Sequence, residues 1–122
     1  MLGRTASPVI PAGVDTDLFK PADRRDARRA LGWQEDGRYI LLPGSRSQPG
    51  KRAALFDAVV SEVRKTVPEV TGVALEGFSR KQAAEVMNAV DVTLMTSERE
   101  GSPVAIRESL ACKTPVVSVE VG

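Results

Sequence analysis

Two glutamates near the C-terminus, Glu100 and Glu108, have the side-chain type and the spacing to do chemistry on a polar ligand. Seven residues separate them, and the apolar run Val92–Met95 that precedes them is typical of a strand. The first acid should therefore lie in the loop after this strand, and the second about one turn into the next helix. Open α/β sheets bind ligands outside the carboxyl ends of their parallel strands. We expect both carboxylates to face that crevice, where they could accept hydrogen bonds from sugar hydroxyls.

The start of that helix offers a place for an anion. Ser102 is a suitable N-cap, and Pro103 suits the first helical position because its missing N–H would be unpaired there. The free amides around Val104 and Ala105, with the helix dipole, favour an exposed anion by about 0.3–1 kcal/mol. An ordinary capped helix without a ligand fits the same residues. Carboxylates that can accept from sugar hydroxyls, next to backbone amides that can bind a phosphate, together suggest a sugar nucleotide.

A basic loop, residues 43–52, contains the cations that such a ligand would need. It follows an apolar run at residues 39–42 and precedes a helical pattern, so we expect it to open on the same sheet edge as the two glutamates. Arg46 and Lys51 lie five positions apart and could clamp a diphosphate, since arginine provides a fork of donors and lysine a point charge. The glycine-lysine-serine ending of a Walker loop is absent. A solvated basic loop is the alternative.

Glu108 has two interpretations. It is either a surface acid that pairs with Arg107, or a ligand group that accepts charge-assisted hydrogen bonds from two ribose hydroxyls, each worth about 1.5–3 kcal/mol. Retaining hydrolases also use two acids, but their carboxyl groups lie about 5 Å apart across a sugar. The spacing in the sequence does not establish that separation.

Composition excludes several classes of function. The 122 residues contain 17 basic and 16 acidic side chains, which argues against attraction to nucleic acid or to a membrane by net charge. The arginine-rich stretch at residues 24–29 is interrupted by acid and lacks aromatic residues, so it is interpreted as a solvated helix face. No histidine and a single cysteine exclude a zinc site or a histidine-based triad.

Cys112, the single cysteine, is expected to be a small buried filler and not a reactive thiol, because it ends an apolar helical pattern. It cannot form an internal disulfide, which fits a reducing compartment. No apolar run approaches the roughly 20 residues of a membrane helix, and no signal peptide opens the sequence. The expected location is the cytoplasm.

Short apolar runs alternate with stretches of helical period, which predicts alternating strands and helices. The predicted strands cover residues 39–42, 72–75, 92–95 and 116–119, and the predicted helices cover residues 24–31, 52–66, 80–89 and 103–112. This order predicts an α/β fold, a Rossmann-like parallel sheet with helices on both faces, as one domain over residues 1–122. Because such a domain usually adds a helix after its last strand, we expect this one to be incomplete at the C-terminus.

Taken together, these residues resemble the C-terminal, donor-binding half of a GT-B glycosyltransferase, specifically of retaining glycosyltransferase family 4. Three stretches support the resemblance. Residues 9–21 look like the segment that leads into this domain, and residues 43–52 look like its phosphate loop. Residues 91–122, with the two glutamates and the final Pro115-Val116-Val117, look like the signature block of the family. The resemblance covers nearly the whole chain.

The resemblance implies catalytic roles for three residues and a binding role for a fourth. Lys51 and Arg46 would neutralise the donor diphosphate as the leaving group departs. Glu100 would hold the transferred sugar, and Glu108 the ribose hydroxyls. This is electrostatic stabilisation of the negative charge that develops on the diphosphate, and it requires no metal or other cofactor.

The remaining implied contacts are to the donor and come mainly from the backbone. Gly101 and Ser102 would hold the transferred sugar, and the helix start at Pro103 and Val104 would lie near the phosphates. Pro103 stands where the family usually has glycine, which removes one amide. Two more residues match the loop whose backbone contacts the base in this family: Gly77 and Phe78.

The implied substrate is a UDP- or GDP-sugar, from which a hexose would pass to a glycan or lipid-linked acceptor. GT-B chemistry takes place between two domains, so the isolated chain is expected to be inactive without an N-terminal acceptor domain. No nucleic acid and no transmembrane segment are expected. The alternative is a non-catalytic α/β module derived from such an enzyme, which forms a homodimer through an uncovered part of its sheet.

Overall fold

The computed structural model describes residues 14–47, 52–96 and 103–118, with Pro103 described by its backbone alone. These residues form one parallel sheet of four strands, in the spatial order β2-β1-β3-β4. The predicted α/β class is confirmed. In chain order the elements are α1 (Arg24–Leu31), β1 (Arg38–Leu42), α2 (Ala53–Arg64), β2 (Val70–Ala74), α3 (Arg80–Ala89), β3 (Val92–Met95), α4 (Pro103–Ala111) and β4 (Val116–Ser118).

The element bounds follow local signals in the sequence. Asp23 caps α1 by accepting a hydrogen bond from the Asp26 N–H, and Gly32 ends the helix at φ 76°. Ser79 and Gln82 form a capping box at the start of α3. At α2 the prediction began one residue early, because Arg52 adopts left-handed backbone angles instead of helical ones. The predicted N-cap Ser102 lies outside the described residues.

Helices cover both faces of the sheet because β1 is apolar on both sides. Tyr39 and Leu41 pack with α3 in one core cluster, whereas Ile40 and Leu42 pack against α2 in the other. On α2, Val60 belongs to this second cluster and is 5% exposed. Side chains that alternate along a buried strand explain the two separate clusters.

A single aromatic residue forms the centre of the contact between α2 and β2. Phe56 is fully buried, and it packs over β2 at Gly72. A β-carbon on Gly72 would lie 2.8 Å from the Phe56 ring, so the glycine is what allows the ring to approach the strand.

Cys112 is a buried core residue, as predicted. Burial, with a smaller contribution from the charge of Glu108, raises the pKa of its thiol to about 11. The thiolate is therefore scarce at neutral pH, which makes this cysteine a poor nucleophile.

The prediction of a solvated arginine face on α1 is wrong for Arg28, which is 2% exposed. Its Nε donates to the Ala89 carbonyl at 2.8 Å, and its Nη2 donates to Asp91 Oδ2 at 3.1 Å. The same carboxylate oxygen accepts from the Tyr39 N–H at 2.8 Å. Arg28 therefore joins α1 to the amino ends of β1 and β3. The other three arginines of this helix are exposed, as predicted: Arg24, Arg25 and Arg29.

Within the described ranges, none of the helices combines the length and the apolar character that crossing a bilayer requires. The same part of the chain contains no group of three or more acidic or cysteine side chains placed to hold a metal ion.

Candidate functional site

Three described segments meet at the carboxyl edge of the sheet. The loop after β1 contacts the loop after β2, where Ser45 Oγ donates to Glu76 Oε1 at 2.6 Å. The start of α3 in turn approaches α4, where Arg80 Nη1 lies 3.9 Å from Glu108 Oε2. The described part of the basic loop, the β2–α3 loop and α4 therefore lie at one edge, which is where open α/β sheets bind ligands.

Glu108 is buried, with its side chain 9% exposed, so the interpretation as a surface acid is wrong. Burial raises the pKa of its carboxyl above the ordinary value, and the positive charge of Arg80 opposes that rise. A buried carboxylate at a ligand-binding edge, with a shifted pKa and one cationic partner, is a candidate functional group.

A buried hydroxyl network fixes the helix that contains Glu108. Ser109 Oγ lies 2.9 Å from Thr93 Oγ1 of β3, and it donates to the Thr114 carbonyl at 3.1 Å. Both hydroxyl-bearing side chains are fully buried, at 0% exposure. Since Ser109 is the next residue after Glu108, this network sets the rotation of α4 and thereby the direction of the carboxylate.

Arg80 is the residue at this site that the sequence interpretation missed. It is the first residue of α3, directly after the Ser79 capping box. Its guanidinium lies over the ring of Phe19, with 5.4 Å from Cζ to the ring centroid. No periodicity links Arg80 to Glu108, so the one sequence signal was its position at the start of a helix on this edge.

Arg46, the predicted phosphate ligand, lies in the exposed loop after β1 and forms an ion pair with Asp57 of α2. Their hydrogen bond raises the pKa of Arg46 and lowers the pKa of Asp57. The structure thus places a carboxylate, which the sequence interpretation did not include, on the predicted phosphate-binding cation. A guanidinium has five N–H donors, so pairing with Asp57 does not by itself prevent an anion from binding.

Gly77 and Phe78 lie in the β2–α3 loop at this edge. Gly77 is exposed and has φ 80°, a conformation that favours glycine. Phe78 is half-buried and packs against the core cluster on the α3 side of the sheet. Val104, the predicted neighbour of the phosphates, is 55% exposed on α4. Four predicted site residues lie outside the described part of the chain: Lys51, Glu100, Gly101 and Ser102.

A polar groove of about 410 Å³ lies at the opposite, amino edge of the sheet. Its charges pair with one another: Arg25 lies 3.1 Å from Asp36, and the buried Arg28 is occupied by Asp91. These ion pairs account for the charges of Arg25 and Arg28 in the groove as structural contacts. The lining residues are Asp23, Arg24, Arg25, Arg28, Glu35, Asp36 and Arg38.

Comparison with known proteins identifies the family and the fold of this chain. The profile of the family described as glycosyl transferases group 1 matches residues 40–122. A D-inositol 3-phosphate glycosyltransferase from Mycobacterium leprae is 35% identical over 93% of this chain, which covers 32% of that protein. The protein of the same name from Acidothermus cellulolyticus is 31% identical over 93% of the chain, which covers 33% of it. The chain thus spans about a third of the length of these curated relatives.

Two solved structures share the fold. One is the C-terminal domain of a glycosyl transferase group 1 family protein from Francisella tularensis, with a TM-score of 0.68 and 19% identity over 87% of this chain and 70% of that one. The other is a sucrose-phosphate synthase from Thermosynechococcus elongatus, with a TM-score of 0.58 and 23% identity over 99% of this chain and 36% of that one. Their fold matches the Rossmann-like sheet of a GT-B half-domain.

Proposed function

Because the chain belongs to the glycosyl transferases group 1 family, we propose that it is the donor-binding portion of a retaining glycosyltransferase and holds a UDP- or GDP-sugar at the carboxyl edge of its sheet. The observation that supports this most is the buried Glu108 carboxylate, which lies beside Arg80 at the edge where two described loops and α4 meet. A protein that uses this edge only for packing would gain stability from an uncharged side chain at that position.

Each proposed contact matches a chemical need of the donor. The Glu108 carboxylate accepts from the two ribose hydroxyls, and hydrogen bonds to a charged acceptor are stronger away from bulk water. Arg46 and Lys51 neutralise the diphosphate, and Glu100 with Gly101 and Ser102 holds the hexose. The start of α4, at Pro103 and Val104, adds the positive end of a helix dipole. The backbone of Gly77 and Phe78 contacts the base.

For the complete reaction, we propose hexosyl transfer to a glycan or lipid-linked acceptor held by a second, N-terminal domain. The relatives are named for D-inositol 3-phosphate, which makes this compound the first acceptor to test. Stabilisation of the departing diphosphate by cations and a helix end supplies the catalysis, with no metal required. The isolated chain binds donor weakly and transfers nothing.

Titration calorimetry with UDP and GDP tests donor binding. We expect weak binding to the wild-type chain, and a loss of about tenfold or more in affinity for Lys51→Ala and for Glu108→Gln, because each loses a charge-assisted contact. The matched controls are Lys65→Ala and Glu62→Gln, two exposed residues that pair with each other on α2. No binding at millimolar nucleotide, or equal losses in the controls, contradicts the proposal.

The alternative is a self-associating module without nucleotide affinity. The observation that favours it is the exposure of three large apolar side chains on α4 and β4: Val104 at 55%, Leu110 at 50% and Val117 at 50%. Sedimentation velocity separates the two functions. A dimer that does not bind nucleotide supports the alternative, and a monomer that binds UDP or GDP rejects it.

A further inference from the structure

The ion pair between Arg80 and Glu108 is unequal in exposure. The arginine side chain is 65% exposed, whereas that of the glutamate is 9% exposed. The cation therefore reaches the carboxylate from the solvent side of the site. The 3.9 Å between Arg80 Nη1 and Glu108 Oε2 is short enough for a charge interaction but longer than the 2.7–3.2 Å of a hydrogen bond. Arg80 therefore leaves the lone pairs of the carboxylate available.

We propose that Arg80 is a positioning residue of the donor site, whose guanidinium rests over Phe19 and holds Glu108 ionised and ready to accept two ribose hydroxyls. This inference rests on the proposed function. An ionised carboxylate is an acceptor at both oxygens, whereas a protonated one has an O–H and loses acceptor capacity. Ribose binding by Glu108 thus requires its charge, which burial disfavours.

Phe19 gives Arg80 a fixed place. The ring is 1% exposed and belongs to the core cluster that includes α3. A guanidinium within about 6 Å of a ring centroid is attracted by the ring quadrupole, and the observed distance is 5.4 Å. The capping box at Ser79 fixes the backbone of the same residue. The exposed arginine is therefore held at both its backbone and its charged end.

The charged groups around Glu108 indicate that Arg80 is the residue that favours the ionised form of its carboxyl. The positive charge of Arg80 lowers the pKa of Glu108 against the larger, opposite effect of burial. On its own helix, Arg107 directly precedes Glu108, and Cys112 follows it one turn later. The Cys112 thiol, with a pKa of about 11, is uncharged at neutral pH. Among the described residues, Arg80 is the cation within ion-pair distance from a neighbouring element.

The test combines NMR titration of the Glu108 side-chain carboxyl with UDP and GDP affinity as a function of pH. In Arg80→Gln we expect the Glu108 pKa to rise above that of the wild type, and in Arg80→Lys to return close to it. Affinity falls as pH drops through this pKa, so the loss begins at higher pH in Arg80→Gln. At the wild-type Glu108 titration midpoint found by NMR, the affinity of Arg80→Gln should be about threefold or more below wild type, and well above both midpoints it should be within about twofold.

The matched control is Lys81→Gln, which removes the exposed cation next to Arg80 on α3. It should leave the NMR titration of Glu108 and the pH dependence of nucleotide affinity unchanged. Arg80 is mostly exposed, so the variants should fold, which circular dichroism verifies. If the wild type binds nucleotide but Arg80→Gln leaves the Glu108 titration and the pH profile of affinity unchanged, this inference is overturned and the proposed function stands. If the wild type binds neither UDP nor GDP, the proposed function fails and this inference fails with it.

Discussion

At the scale of single residues, the proposed binding role of Glu108 opposes the stability of the unliganded protein. Its carboxyl is buried on α4 and has one cation at 3.9 Å. Ionising a buried group costs free energy unless it is fully paired. In the proposed complex, ribose hydroxyls would supply the missing partners, so the empty protein is less stable than it would be with an uncharged side chain. Such a trade of stability for binding is common at functional sites.

Replacing Glu108 with glutamine should therefore stabilise the empty protein at neutral pH. The raised pKa means that the stabilising contribution of Glu108 is complete below its ordinary pKa and is lost as pH rises through the folded-state value. We expect Glu108→Gln to raise Tm at pH 7 by a few degrees, with the gain shrinking toward pH 4. Thermal unfolding across pH measures this, with the exposed Glu62→Gln as control. A lower Tm for Glu108→Gln at pH 7 would contradict the argument.

At the scale of elements, the contact between α2 and β2 depends on a missing side chain. Phe56 lies over Gly72, and a β-carbon there would also lie 3.2 Å from Val60. The ring is fully buried and has little room to move away. Glycine weakens a strand by itself, so its presence here is explained by the approach of the ring.

Gly72→Ala should destabilise the protein by about 1–3 kcal/mol through overpacking. Urea unfolding measures the change, and the double variant Gly72→Ala/Phe56→Leu should cost less than the sum of the single variants because the smaller side chain makes room. Gly32→Ala is the contrasting control: its β-carbon would meet nothing within 4 Å, and its cost comes from φ 76° alone. Strict additivity in the double variant would argue against the steric explanation.

At the scale of the whole molecule, the strand order determines which strands are most resistant to local unfolding. β1 pairs with both β2 and β3, and β3 pairs with both β1 and β4. Helices α2 and α3 bury β1 from opposite faces. The outer strand β4 is three residues long, with Val117 half exposed.

Hydrogen exchange measured by mass spectrometry should therefore be slowest in peptides that contain residues 38–42 and 92–95, and faster at residues 116–118. Amides in strands paired on both sides exchange only through large openings, whereas edge strands open locally. Short peptic peptides that resolve β3 from β4 are the measurement. Exchange in β4 as slow as in β1 would show that something other than the described elements protects it.

Much of the fold could be predicted from the sequence because its signals are local. Asp23 and Ser79 cap helices by bonding backbone groups three residues away, and Gly32 ends a helix through its own φ. The bounds of β3 matched the prediction because its apolar run ends at clear breaks. These signals need no knowledge of distant residues.

The errors concern contacts between residues far apart in the chain. Arg28 has the composition of a solvated helix face, but its partner Asp91 lies 63 positions away and gives it a reason to be buried. The sequence interpretation assigned Arg46 to a phosphate, whereas the structure shows it in an ion pair with Asp57. Helical period and charge pattern contain no information about such partners.

The sequence by itself determined the order of strands and helices and the class of fold, and it predicts the two groups of residues that are proposed to bind a nucleotide sugar. The tertiary structure decided that Glu108 is buried, that Arg80 is its charge partner and that the described loops meet at one sheet edge. The physical reason is that backbone geometry and periodicity are set within a few residues, whereas burial and charge pairing depend on which segments the parallel sheet brings together.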